Sequence, residues 1–377
     1  MKIGIITLPL HVNYGGILQA YALQTALKNW GYDSQIIQRK RVVFKLPLWK
    51  KIPVYLKRAV KKYLLRDSSQ VILLEEKYNR EYDSVSKDTQ NFIRKYISLR
   101  EINSFEDISE TDFECYIAGS DQIWRPRYFR NIENAFFFFA KDWDVKRLSY
   151  AASFGTDDWE YSNDQARLCS SLLTKFNAVS VRELSGVDIC SKYLHYDNAK
   201  HVLDPTMLLT CEDYLQLLCD DDSKSDGDLL TYILDETNEK IQVVNKIAEK
   251  NGYKPFAVNA KPENINAPLD ERIVPPIENW IKGFRDAKFV ITDSFHACVF
   301  SILFHKPFIV YGNKARGLAR FQSLLSMFDI SDRLITSTDG FNGNRMNEID
   351  WVKVDTYLEK YKNISITFLL ENLRNEK

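Results

Sequence analysis

Residues 2–31 read KIGIITLPLHVNYGGILQAYALQTALKNWG, and the two halves of this stretch follow different periods. Residues 2–8 form a short apolar run, the pattern of a strand buried on both faces. Ala20, Leu23, Leu27 and Trp30 then recur at helical spacing, and Gly31 supplies the stop. Between them lies HVNYGG, whose Gly15 and Gly16 let the backbone approach a ligand at the positive end of the helix. A tight structural turn accounts for two glycines equally well. Either way, strand, glycine turn and helix open a parallel sheet wrapped by helices.

The alternation continues outward from this unit. Apolar runs at 34–38, 115–118, 148–153, 178–181 and 201–203 are separated by helical stretches. The acidic, polar segment DDDSKSDGD, residues 220–228, reads as a linker. Strand-like runs restart at 229–234, 255–258, 289–292 and 308–311. The expected fold class is α/β, with two Rossmann-like domains facing each other across a cleft. They cover residues 1–219 and 229–377, the second including a C-terminal helix.

A length of 377 residues suits two such domains better than one core. Lys+Arg and Asp+Glu both total 51, so overall charge implies no polyanionic partner. The six cysteines form no CxxC and the five histidines are scattered, which argues against zinc and for reduced thiols in the cytoplasm. No stretch approaches the ~20 apolar residues of a membrane-spanning helix. The apolar start is short, lacks a small-residue cleavage site and reads as a strand, not a signal peptide.

One local imbalance stands out. Residues 39–66 hold eleven Lys or Arg and no Asp or Glu, with Phe44, Trp49, Tyr55 and Tyr63 among them. A solvated basic surface and an amphipathic segment on an anionic membrane face both fit this pattern, and nucleic acid binding is a weaker third reading because no recognisable nucleic-acid motif accompanies it.

Strand ends of open α/β sheets bind ligands, so their residues are the candidates for chemistry. CYIAGSDQIWRP, residues 115–126, presents Ser120, Asp121, Gln122 and Trp124. Polar groups for hydroxyls and an indole for a ring face suit a sugar, although a helix cap and a core tryptophan produce the same letters. Arg182 directly follows the apolar run 178–181; its fork suits a carboxylate or phosphate, with a buried salt bridge as the rival reading. Asp204-Pro205 reads as a structural cap. In ITDSFHACVFSILFHKPFIVYG, residues 291–312, His296 stands where a strand hands over to a buried helix. Arg316 and Arg320, four apart, share one face of any helix they occupy.

Together these blocks resemble the polysaccharide pyruvyl transferase family. The likeness rests on NYGGILQAYALQTAL, AGSDQIW, YAASFG, SVRE, LDPTMLL, and ITDSFHACVFSILFHKPFIVYGN followed by ARGLARF, in that order over residues 1–325. It implies a glycosyltransferase-B-like fold, an acceptor on the first domain and a donor on the second. The implied reaction moves a pyruvyl group from phosphoenolpyruvate onto two hydroxyls of a sugar, in a polysaccharide or lipid-linked glycan, as a cyclic ketal. Phosphoenolpyruvate is then a substrate, and no metal or cofactor is called for.

Such chemistry needs an acid/base group and cations for carboxylate and phosphate. His296 is the acid/base candidate, with Asp293 to orient it. Asp121 is the second candidate base. Arg182, Ser294, His296, Arg316 and Arg320 form the expected donor set; Asn13, Gly15, Gly16, Ser120, Asp121, Gln122 and Trp124 form the acceptor set. The sequence departs from the family at Ser294, where relatives often carry an arginine two residues before the histidine; Arg316 or Arg320 would have to replace that charge. A nucleotide-sugar glycosyltransferase of the same architecture and a non-catalytic glycan-binding relative are the alternatives. The expected location is cytoplasmic, at the inner membrane face if the basic segment docks there.

Overall fold

The computed structural model describes residues 1–219, 221–312, 317–338 and 348–374. Arg316 lies outside the described residues. Seven strands build the first sheet: β1 (Lys2–Ile6), β2 (Asp33–Arg39), β3 (Leu99–Ile102), β4 (Cys115–Ala118), β5 (Lys146–Ala152), β6 (Ala178–Val181) and β7 (Lys200–His201). Their spatial order is β3-β2-β1-β4-β5-β6-β7, and every pairing is parallel. Five strands build the second: β8 (Leu229–Tyr232), β9 (Pro255–Phe256), β10 (Phe289–Thr292), β11 (Phe308–Tyr311) and β12 (Leu334–Ile335). They run β12-β11-β10-β8-β9, again all parallel. The α/β class and the two Rossmann-like domains are therefore as the alternation predicts.

Each sheet reverses direction once. After β3 the chain crosses to the other side of β1 and lays down β4; after β9 it crosses back over β8 to lay down β10. A crevice opens outside the carboxyl ends of the strands at such a reversal, which is where ligands bind in open sheets. The glycine turn follows β1, the Gly119–Asp121 corner follows β4, and His296 follows β10. Local irregularity sharpens one of these corners. The register of β5 shifts between Ser149 and Ala152, and Ala151 sits at φ 52°. The redirected Ala152 then bridges Asp121, itself at φ 66°.

The domains meet through packed side chains. Tyr14, at the head of the first helix (Tyr14–Asn29), donates its hydroxyl to the Pro275 carbonyl at 2.8 Å and packs on Tyr232 and Trp280. Leu184 N–H donates to Ser323 Oγ at 2.6 Å. The last helix, Trp351–Leu373, touches both domains. Its start stacks Trp351 on His305 of the second domain, while its Ser365 Oγ accepts from Leu203 N–H of the first and the Asn372 carbonyl accepts from Lys146. The linker side is pinned too: Lys282 pairs with Asp221, and Ser225 N–H donates to Asp286. Among the described residues no helix is long and apolar enough to cross a membrane.

Candidate active site

Four chain segments converge where the two sheets face each other. Arg182 emerges from β6 and is almost fully enclosed, its side chain 1% exposed. Its Nη1 donates to Asp204 Oδ2 at 2.7 Å, and its Nη2 to Asp121 Oδ1 at 3.3 Å. Both carboxylates stand at strand ends of the first sheet, just past β7 and β4. The same Nη1 lies 3.4 Å from Nε2 of His296, which the second domain delivers at the N-terminus of the helix Phe295–Leu303. Asp204 Oδ2 lies 3.6 Å from that Nε2.

Arginine has no acceptor to offer, so a hydrogen bond from Arg182 would need Nε2 as its acceptor. When the ring is protonated, Nε2 becomes a donor and Asp204 is the counter-charge within ion-pair reach. The glycine turn fixes the ring's other edge. A β-carbon on Gly15 would come within 2.0 Å of Nδ1, so only glycine admits the imidazole there.

The buried charges hold one another in place. Burial disfavours a charged Arg182, but Asp204, Asp121 and Glu183 outweigh it and raise the guanidinium above its ordinary range. Burial also opposes an ionised Asp204, yet His296 and Arg182 beside it hold the carboxyl far below the usual carboxylate range. Arg320 is pushed down to about 10, by burial first and the like charge of Arg182 next, and so stays charged at neutral pH. Both guanidinium groups lie over the Phe295 ring, 4.3 Å (Arg182) and 5.8 Å (Arg320) from its centroid, where the π-face offsets part of their repulsion. Arg182 Nε is buried with no hydrogen-bond acceptor among the described residues.

The expected residues separate into groups. His296, Arg182 and Asp121 come together, and Arg320 shares the ring of Phe295. Ser120 touches the cluster by donating to Asp204 Oδ2 at 3.0 Å. Ser294 caps its helix, accepting from Ala297 N–H. Asn13 caps the first helix, accepting from Gly16 N–H at 3.3 Å. Gln122 accepts from Arg125 at 3.0 Å and lies over Gly155, where a β-carbon would come within 2.0 Å of its Oε1.

Two expectations are corrected. Trp124 is 0% exposed, stacks on Phe136 and donates to the Ala135 carbonyl, so its indole belongs to the core and presents no face to the cleft. Asp293 does not orient His296. It turns the other way at the strand–helix corner, pairing with Lys240 at 2.6 Å and accepting from the N–H groups of Leu234 and Asp235.

The residues that sequence reasoning missed are Asp204 and Glu183. Asp204 does cap the turn at Pro205, accepting from Thr206 N–H through Oδ1, but its other oxygen is shared by Arg182 and Ser120. Glu183 is buried and accepts from Ser153 Oγ and from the N–H groups of Phe154 and Gly155, shaping the loop after β5. The signal for Glu183 is its place just past the buried strand β6, whereas the turn at Pro205 accounts locally for Asp204.

No curated protein matches the chain in sequence. Among solved structures, UGT89C1 of Arabidopsis thaliana complexed with UDP-L-rhamnose is similar at 8% identity, covering 98% of this chain and 97% of that one with a TM-score of 0.52. MnaA of S. aureus, solved with UDP, is 11% identical over 100% of this chain and 98% of that one, with a TM-score of 0.50. At such identities the likeness is of fold, and the fold is the two-domain, glycosyltransferase-B-like arrangement. The family model described as polysaccharide pyruvyl transferase matches residues 13–315. That span starts at the cap before Gly15, ends beyond His296 and takes in Asp121, Arg182 and Asp204 between them, so the chain belongs to the polysaccharide pyruvyl transferase family.

Proposed function

We propose that the chain transfers the pyruvyl group of phosphoenolpyruvate to two hydroxyls of a sugar, in a polysaccharide or lipid-linked glycan, as a cyclic ketal. The observation that carries this reading is the junction of His296, from one domain, with the Arg182–Asp204 pair of the other. A proton-transfer group set among paired charges between two domains suits a reaction that joins a small anionic donor to a large acceptor.

The bond changes set the roles. The donor's methylene carbon gains a proton, the central carbon forms bonds to two sugar oxygens, and its bond to the phosphate oxygen breaks. One hydroxyl proton balances the methylene and the other leaves with inorganic phosphate. His296 moves a proton at Nε2, and Asp204 balances the imidazolium that forms. Asp121 accepts from the attacking hydroxyl. Arg182 already faces two carboxylates, so a donor anion competes with Asp121, whose contact is the longer one. Arg320 supplies the second positive charge and stands in for the cation missing at Ser294. The N-terminus of the helix Phe295–Leu303 adds its partial positive charge. The six cysteines, all free thiols, fit a reducing, cytoplasmic setting.

The test is calorimetric titration of phosphoenolpyruvate, with inorganic phosphate as control, followed by phosphate release with candidate glycans. Binding tighter than phosphate, weakened in Arg320→Met, supports the reading. Preference for a nucleoside diphosphate over phosphoenolpyruvate would replace it with a nucleotide-sugar-dependent transferase. Glycan binding without any donor binding would make the chain a non-catalytic relative.

A further inference from the structure

The helix Leu48–Tyr63 is built the wrong way round for a soluble protein. Leu48, Ile52, Leu56 and Val60 follow at four-residue steps, with Trp49 and Tyr63 between them on the wheel, and these side chains share one face. Lys50, Lys51, Lys57, Arg58, Lys61 and Lys62 occupy the remaining arc. A soluble domain turns the apolar face of such a helix inward. Here Leu48 is 83% exposed, Trp49 74%, Ile52 78%, Leu56 64% and Tyr63 70%, and no residue of the helix is buried.

The side packed on the protein is mixed, with Lys51, Arg58 and Lys61 beside Val54, Tyr55 and Ala59. Arg58 grips both carboxylate oxygens of Glu75 at 2.8 Å each and the Ile72 carbonyl at 3.1 Å. Exposed apolar residues continue the face on either side, with Val42 and Phe44 before the helix and Leu64 and Leu65 after it. The surface is tied to the cleft rim. It follows the carboxyl end of β2, and the helix carrying Glu75 (Leu74–Val85) reaches the second domain through Glu81 to Arg272 and Lys77 to the Ile265 carbonyl.

We propose that this helix and its flanks form a docking surface for an anionic lipid bilayer. The apolar face enters the acyl boundary and the flanking lysines stay at the headgroups. Charge selects this occupant. A second copy would bring two segments of eleven cations and no acid together, and these would repel. A nucleic acid would use the cations alone and leave the exposed leucine, isoleucine and tryptophan face uncovered. Anionic lipid answers both the face and its rim.

The experiment uses the full chain and sucrose-loaded vesicles of phosphatidylcholine, with and without phosphatidylglycerol. Co-sedimentation is expected with phosphatidylglycerol, to weaken as salt rises, and to fall at least tenfold in Ile52→Glu/Leu56→Glu. Lys50→Gln/Lys57→Gln/Lys62→Gln is expected to lose the preference for anionic lipid. These side chains are exposed, so circular dichroism and melting should match the parent chain. Partition no greater than without lipid, or unchanged in Ile52→Glu/Leu56→Glu, overturns the proposal. So does light scattering that shows a dimer dissolved by that same double substitution, because a second copy would then cover the face.

Discussion

The imidazole of His296 rests on the bare α-carbon of Gly15, so a residue of the second domain is seated by a residue the first domain lacks a side chain for. Gly15→Ala tests that seat. Alanine favours a helix by about 1 kcal/mol over glycine, but overpacking costs about 1–3 kcal/mol. The expected result is a small net change in melting, with the ring displaced and phosphate release cut by at least tenfold. Normal turnover in Gly15→Ala would show that the contact positions nothing.

Asp204→Asn removes the carboxylate shared by Arg182, Ser120 and His296. Leaving Arg182 buried with less compensation is expected to cost about 3–5 kcal/mol in urea unfolding at neutral pH. The pH dependence has a definite sign. The folded carboxyl titrates below the ~3.9 of an unfolded aspartate, so its contribution is complete above about pH 4 and fades as pH falls through that value toward the folded pKa. Parent and variant stabilities should therefore converge below about pH 4. Curves that stay parallel would mean the carboxylate is not the origin of the difference.

His296→Gln keeps a hydrogen-bonding side chain and loses the proton-transfer group. Turnover with a verified donor and acceptor is expected to fall by about 10²–10⁴-fold, while donor affinity by calorimetry changes little. A fall in affinity with turnover intact would make His296 a ligand-holding group instead.

Trp124→Ala separates a core role from a sugar platform. Loss of a fully buried aromatic is expected to cost about 3–5 kcal/mol. Any surviving folded protein should keep its acceptor KM. A selective rise in that KM at unchanged stability would restore the platform reading.

Much of the fold is legible in the sequence, and the reason is burial. The apolar runs at 115–118, 178–181, 289–292 and 308–311 are β4, β6, β10 and β11, all fully buried strands. The strands that went unseen, β3 and β12, stand at sheet edges, and β3 carries two exposed residues in LREI that break the apolar signal. The site divides the same way. Arg182, Asp121 and His296 announce themselves as polar residues just beyond buried runs. Asp204 hid behind a local task, because capping the turn at Pro205 accounted for it and nothing local revealed the second oxygen's partners. Asp293 was misassigned through nearness in sequence to His296, although residues at a strand–helix corner aim in divergent directions.

The final helix alters what the two domains can do to one another. At 1.5 Å per residue its 23 residues span about 35 Å, from the His305 side of the second domain to the Lys146 side of the first. The polypeptide therefore passes between the domains twice, once on the side of residues 221–228 and once by this rod. Two covalent crossings act as two hinge pins. They leave swinging about the line joining them as the soft motion and resist both sliding and twisting. A cleft that opened about that line would separate His296 from Gly15 and bring the two back to the same contact on closing.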